Sequence, residues 1–320
     1  MRNCWCGNKN LVLFNNDYAE CKTCGTLVEQ KGTQTKNSSV QDDDTDYYGK
    51  NYWLNHQKNE LGIADIYRRS RDDLTERNLH WLKALLKFCT PPAKVLELGC
   101  SHGSFVALMR QAGYDASGVE MSPWVVSFGE KTFGVPIHVG PIEDLEIPPG
   151  SLDVIVLMDV LEHLYSPVTT MALCLKLLKP NGLLLIQTPQ FKEGINYSDL
   201  VDTKSPFLEM LIPDEHIYLF SERSVTRMFN QIGGKYIQFE QAIFSSYDIF
   251  FVVSSKPIKK NETELIESTL LKTPNGRVAL AMLDLREREL NLIENMKISE
   301  EDRLARWEQI QTLTALIKRS

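Results

Sequence analysis

The chain of 320 residues is 43% apolar and 24% charged with a formal net charge of −7, an ordinary globular profile. That balance, with no dense Lys/Arg stripe interleaved with aromatics, argues against a nucleic-acid partner. No run of about 18 apolar residues is present to span a membrane, and Met1-Arg2-Asn3-Cys4 opens no signal-peptide core, so a cytoplasmic location is expected.

Four of the seven cysteines crowd into Cys4-Trp5-Cys6-Gly7 and Cys21-Lys22-Thr23-Cys24-Gly25. A glycine after each second cysteine allows a turn whose N–H groups face thiolate sulfurs. Four such thiolates around one tetrahedral Zn²⁺ form a closed structural site. The first turn is C-x-C, one residue shorter than the preferred C-x-x-C. The expectation is a zinc-ribbon-like module over 1–40 with Cys4, Cys6, Cys21 and Cys24 as ligands, while Cys89, Cys100 and Cys174 read as packing residues. The polar stretch Lys31 to Asp46 and the aromatic Tyr47-Tyr48-Gly49-Lys50-Asn51-Tyr52-Trp53 make 41–69 a linker with an aromatic lid segment.

From 70 to 256 helix and strand patterns alternate, the mark of a parallel sheet covered on both faces. An amphipathic helix is expected from Arg68 to Phe88, then a strand from Lys94 to Leu98 and a helix from Phe105 to Ala112. A second strand, Ala116 to Glu120, leads to a helix from Pro123 to Phe133 and a short strand from Pro136 to Val139. The continuous apolar run Leu152 to Met158 reads as a fully buried strand. A helix from Pro167 to Leu178, a turn at Lys179 to Gly182 and a strand from Leu183 to Gln187 follow. Ser221 caps a helix from Val225 to Gln231, and strands Tyr236 to Ala242 and Ile249 to Val253 close the sheet.

The stretch Val95-Leu96-Glu97-Leu98-Gly99-Cys100-Ser101-His102-Gly103 carries the most chemistry. A strand ending in a carboxylate and running into a small-residue turn brings backbone N–H groups close to a ligand. A carboxylate at that point is wrong for pyrophosphate and right for a cation. S-adenosylmethionine, with its ammonium, sulfonium and ribose, meets that demand. Glu120 ends the second strand at the spacing where an acidic side chain holds two ribose hydroxyls.

Four features in register resemble the class I S-adenosylmethionine-dependent methyltransferases over roughly 70 to 255. They are the first loop, Glu120, the buried strand running into Leu161-Glu162-His163-Leu164, and Leu177-Leu178-Lys179-Pro180-Asn181-Gly182-Leu183. The resemblance implies a Rossmann-like, doubly wound, mostly parallel seven-stranded sheet. It implies that Glu97, Gly99, Cys100, Ser101 and Gly103 cradle the methionine part with Met158 nearby, that Glu120 holds the ribose, and that Met121, Ile142 and Glu143 border the adenine. Ser101 stands where the family has its middle turn glycine, and Pro141 stands where many members carry an Asp.

Methyl transfer needs alignment of an already activated donor and, for some acceptors, a base, most often histidine. His163, past the end of the buried strand, is one candidate. Asp214-Glu215-His216 supplies Glu215 and His216 as others, similar to the Glu-His pair of sugar C-methyltransferases and to the His-x-x-x-Phe-Ser pattern of quinone-pathway O-methyltransferases. Pro213 departs from the sugar enzymes' pattern. The N-terminal zinc module resembles sugar-modifying methyltransferases and places a sugar or nucleotide-sugar first as the small-molecule acceptor. A small-molecule O-methyltransferase outside sugar chemistry, or a non-catalytic S-adenosylmethionine-binding scaffold, is the alternative. Residues 257–320 read as a helical C-terminal extension, with a homo-oligomer or a pathway neighbour as the expected partner.

Overall fold

The computed structural model describes residues 2–31, 40, 42–56, 59, 62 and 64–317, with the side chains of 315 and 316 excluded. The end of the expected zinc module, 32–39, and residues 41, 57, 58, 60, 61 and 63 of the expected linker lie outside the described residues. A small antiparallel hairpin comes first: β1 (Val12–Leu13), β2 (Tyr18–Cys21) and β3 (Thr26–Glu29). A single π-type turn, Tyr52–His56, precedes α1 (Ile66–Thr75) and α2 (Arg77–Phe88). The single helix expected over Arg68 to Phe88 is therefore two, broken at Glu76, whose φ/ψ of −125/−83 is not helical. The break follows from two different packing partners. Ile66 joins an aromatic cluster with Tyr52 and Trp53, whereas Leu79, Leu82 and Leu85 face the sheet core.

The expected alternation follows: β4 (Lys94–Leu98), α3 (Ser104–Ala112), β5 (Asp115–Glu120), α4 (Pro123–Phe133), β6 (Ile137–Val139), β7 (Leu152–Met158), α5 (Pro167–Leu177) and β8 (Leu178–Pro189). Then come α6 (Tyr197–Asp202), β9 (Tyr218–Leu219), α7 (Glu222–Ile232), β10 (Tyr236–Glu240), β11 (Asp248–Ser254), α8 (Thr263–Leu270) and α9 (Pro274–Ile317). The turn expected at Lys179 to Gly182 is absorbed into β8, because Leu178 pairs with Leu152 before the register shifts at Val154. Gly182 marks that irregularity, since a Cβ there would sit 2.8 Å from Leu178 Cβ.

Seven strands order as β10-β11-β8-β7-β4-β5-β6. The β7–β8, β4–β7, β4–β5 and β5–β6 pairs are parallel, and β11 and β10 add antiparallel strands at one edge. The fold is thus Rossmann-like and mostly parallel, as expected. Side chains alternate between two buried faces. Val95, Val154, Val156 and Val252 face α2 and α3, whereas Leu96, Ile155, Leu157 and Phe251 face α5 and α7. A run buried on both faces must be apolar throughout, which is why β7 reads as an unbroken hydrophobic segment. Helix ends follow local chemistry: Ser122 Oγ accepts from Val125 N–H at the start of α4, and Ser221 Oγ does so from Ser224 N–H at the start of α7.

The N-terminal hairpin is not a detached bead. Its β3 pairs antiparallel with β9, Leu27 opposite Leu219 and Val28 opposite Tyr218. Cys4, Cys21, Cys24 and Val28 join the same apolar cluster as Leu157 and Phe251. Among the described residues no helix is long and apolar enough to cross a membrane. Leu157 is fully buried near the carboxyl end of β7. Leu157→Ala is expected to cost about 2–5 kcal/mol by leaving a cavity, measured as a lower midpoint in urea denaturation with an unchanged slope.

Candidate cofactor and acceptor site

At the carboxyl ends of β4, β5 and β7 lies a cavity of about 960 Å³, where open parallel sheets place their ligands. Glu97, Gly99, Cys100, Ser101, Glu120, Met121, Ile142, Glu143, Met158, His163, Glu215 and His216 all line it. Gly103 is the exception. It begins α3 at φ 76°, and a Cβ there would sit 2.9 Å from Ile137 Cδ1. Its demand is conformational and steric: it shapes the turn that the lining residues Gly99 to Ser101 form.

The turn after β4 is built from left-handed residues. Gly99 has φ 63° and a Cβ would come 2.6 Å from Val160 Cγ2, so no other residue fits without displacement. Ser101 adopts φ 50° despite its side chain. Its Oγ lies 3.0 Å from His102 Nδ1, while its N–H donates to Glu120 Oε2 at 3.1 Å. The loop is therefore tied to the end of β5 through the backbone of the residue that replaces glycine.

Two buried carboxylates dominate this end. Glu120 Oε1 accepts from the N–H groups of Met121 at 2.8 Å and Ser122 at 3.1 Å. Burial nevertheless holds its carboxyl above the usual range, against the pull of those N–H groups. Glu97 is 4% exposed, and its Oε2 has no hydrogen-bond partner. Burial pushes Glu97 well up, opposed by the Val106 N–H and reinforced by Glu120. A buried carboxylate oxygen with no donor is costly. This arrangement suits a cationic or hydroxylated ligand.

The other end holds imidazoles. His163 Nδ1 lies 2.8 Å from the Glu215 carbonyl and His216 Nδ1 lies 2.7 Å from the Met210 carbonyl. A carbonyl can only accept, so each Nδ1 carries the proton and each Nε2 the lone pair. The rings sit 5.0 Å apart. Burial lowers both, taking His216 to about 3, so both are neutral near pH 7. Glu215 accepts from Tyr47 Oη at 2.6 Å and Tyr52 Oη at 3.3 Å, and His56 Nε2 lies 3.0 Å away. Burial would raise Glu215, but the hydrogen bonds from Tyr47 and His56 and the two nearby histidines outweigh it and hold it ionised.

The floor between the ends carries further acids. Glu162 is fully buried, with Oε2 accepting from Thr188 Oγ1 at 2.8 Å and Oε1, which has no hydrogen-bond partner, 3.9 Å from His163 Nε2. Asp248 is pushed up to about 8 by burial and by Asp159, with Arg77 opposing. Gln187 bridges Trp81 Nε1 and Asp159, which itself holds φ 58°. Glu162, His163 and His216 each offer a ligand atom within 4.8 Å of the others, a spacing that one divalent cation could bridge.

Sequence reading missed Tyr47, Tyr52, His56, Asp159 and Asp248 as members of this site. The aromatic density of 47–53 was the signal for the first two. Nothing local marks His56 as the neighbour of Glu215.

Away from the cavity, the four N-terminal thiols converge. Cys4 and Cys24 Sγ are 3.4 Å apart, Cys6 and Cys21 Sγ 3.6 Å, and all four lie within 4.8 Å. Four sulfurs about 2.3 Å from one zinc stand about 3.8 Å from each other, so the set fits a tetrahedral metal. Gly7 and Gly25, at φ 84° and 80°, donate back to the carbonyls of Cys4 and Cys21 and close the two turns. The C-x-C turn is thus long enough.

Because the raised pKa of Glu97 lies above its unfolded value, its contribution to stability is present in acid and lost as pH rises through the folded pKa. Ligand-free Glu97→Gln is therefore expected to melt at a higher temperature than wild type at pH 8. The gap should shrink toward pH 5 in calorimetric scans, and an equal offset at both would remove the electrostatic account.

A family model described as a methyltransferase domain matches residues 67–238. Among curated proteins, the ubiquinone biosynthesis O-methyltransferase of Xanthomonas campestris pv. campestris is 33% identical over 104 residues, 31% of this chain and 44% of that protein. The protein of the same name from Xanthomonas euvesicatoria pv. vesicatoria is 32% identical over 102 residues, 30% and 43% of the two chains. The chain spans less than half the length of these relatives. Among solved structures, the PH0226 protein of Pyrococcus horikoshii OT3 superposes with TM-score 0.46 at 17% identity, over 65% of this chain and 100% of its own. The YcgJ protein from Bacillus gives 0.45 at 16%, over 57% and 99%. The family match takes in more than half of the sequence, and the chain belongs to the methyltransferase-domain family.

Proposed function

We propose that the chain transfers a methyl group from S-adenosylmethionine to a small polar acceptor, with a sugar or nucleotide-sugar first. The observation that carries this reading is the division of one cavity between two buried carboxyl groups, Glu97 and Glu120, at one end and the neutral imidazoles of His163 and His216 at the other. When bound, S-adenosylmethionine supplies a methyl group already activated on a cationic sulfonium. Glu97 Oε2 would accept from its ammonium and Glu120 from the ribose hydroxyls. Gly99, Cys100, Ser101 and Met158 would border the methionine part, and Met121, Ile142 and Glu143 the adenine. Gly103 would close the same cradle by shaping its loop.

His163 is the base in this reading. Its Nε2, which carries the lone pair, would take the proton that the acceptor loses on receiving the methyl group. His216, held at about 3, is too weak a base for that task and borders the acceptor instead. Glu215, kept ionised by Tyr47 and His56, stabilises the imidazolium that forms on His163. The acids at Asp159, Glu162 and Asp248 support a polyhydroxylated acceptor, because each hydroxyl finds an acceptor oxygen there. The name shared by the curated relatives supports a second reading, O-methylation of a small molecule in quinone biosynthesis.

Titration calorimetry should show S-adenosylmethionine binding to wild type and at least about tenfold weaker binding to Glu120→Ala, which loses charge-assisted hydrogen bonds. His163→Ala should keep that affinity and lose about 10²–10⁴-fold in turnover on the true acceptor. No binding by wild type ends the proposal. Turnover of a quinol but of no sugar nucleotide selects the second reading.

We also read 1–40 as a zinc-binding module, 41–69 as a linker with the aromatic segment, 70–256 as the methyltransferase domain and 257–320 as its helical extension. Cys4, Cys6, Cys21 and Cys24 would hold one structural Zn²⁺. Tyr18, directly opposite Glu29 in the β2–β3 register, donates its Oη hydroxyl to the His216 carbonyl at 2.9 Å, so this module buttresses the acceptor side. Metal analysis should give about one zinc per chain. Cys21→Ser should abolish it and move the imidazole NMR signals of His216 while S-adenosylmethionine affinity holds. A zinc content near zero in wild type overturns the assignment.

A further inference from the structure

The last helix leaves the body partway along its length. Ala279 is buried, and Leu280, Met282 and Leu283 pack on the core. From Glu287 to Thr314 every residue is exposed, a rod of about 40 Å at 1.5 Å per residue. A helix with no packed face is marginal on propensity alone. Yet this rod carries large apolar side chains, including Ile293 at 53% exposure, Met296 at 72%, Trp307 at 59% and Ile310 at 54%.

Those residues are not scattered. Ile293, Met296, Trp307, Ile310 and Ile317 fall on the a and d positions of one heptad frame, and Leu292 and Leu304 flank it. Glu300 and Arg303 occupy the a and d positions at the middle of the stripe. Within the chain they pair, Arg303 Nε donating to Glu300 Oε2 at 2.8 Å. The stripe cannot fold back on its own domain without breaking the helix, and 277–317 contains neither glycine nor proline.

We propose that a second copy of the chain lies antiparallel along this stripe, centred between Glu301 and Asp302. In that register Ile293 faces the partner's Ile310, Met296 faces the partner's Trp307, and Glu300 faces the partner's Arg303. Each a position meets a d position, as antiparallel pairing requires. The charges agree with this direction. Within the described helix, residues 284–301 carry six acidic and three basic side chains, while 302–317 carry two of each. Antiparallel packing lays the acidic half over the neutral half, whereas parallel packing lays it over itself. Parallel packing would set Glu300 against Glu300 and Arg303 against Arg303. The central polar pair thus fixes register and direction, and the apolar pairs on either side supply the burial.

Sedimentation velocity on the full chain at micromolar and higher concentrations should give a species of twice 36.5 kDa. Arg303→Glu sets two carboxylates face to face at both symmetric positions and should weaken the dimer at least about tenfold. Adding Glu300→Arg to it should restore the affinity. Full-chain Ile293→Cys mixed with Ile310→Cys should oxidise to a 293–310 cross-link mapped by peptide mass spectrometry, with neither variant cross-linking through that site alone. A monomer at all concentrations, a dimer indifferent to Arg303→Glu, or a 293–293 cross-link each overturns the proposal.

Discussion

The carboxylates of Glu97 and Glu120 stand at the ends of two adjacent parallel strands, and much of the site is organised by that proximity. Parallel pairing sets Glu97 opposite Gly118 and carries Glu120 two residues further, so both acids reach the same opening. The backbone answers only one of them in full. Glu120 collects three N–H donors from Ser101, Met121 and Ser122, whereas Glu97 Oε2 is left without a donor. Part of the stability of the sheet is spent in holding this mismatch, a common state of affairs where a protein is shaped around a ligand.

The opposite end is organised by a different device. His216 is fixed from several directions: its ring by the Met210 carbonyl, its own carbonyl by Tyr18, and the residues after it by pairing of β9 with β3. Glu215 next to it is fixed by side chains from the aromatic segment. The imidazole end of the cavity is therefore assembled mainly from chain segments outside the seven-stranded sheet, and the carboxylate end from the sheet itself. That division explains how one sheet architecture can serve different acceptors.

Legibility in the sequence followed the same division. Lys94–Leu98, Pro123–Phe133 and Leu152–Met158 were readable to the residue, because a strand buried on both faces and a helix between a serine cap and a glycine stop are local patterns. Glu97, Glu120 and the cysteine turns were readable because short spacings bring their groups together. The break at Glu76 was not, since it reflects which neighbours each half packs on. The extension of β8 through Lys179–Gly182 depends on Leu152. The partners of Glu215 come from more than 150 residues earlier, and no periodicity spans that distance.

The bond from Tyr18 to the carbonyl of His216 joins residues 198 positions apart, and β3 meets β9 at a comparable separation. During synthesis the N-terminal hairpin leaves the ribosome long before its partner strand exists. Its apolar residues Leu27 and Val28, fully buried in the finished protein, must wait exposed until most of the sheet has been made. Closing so long a loop is entropically slow. Pairing of β3 with β9 is therefore expected to come late in folding, after the strands of the large sheet have met.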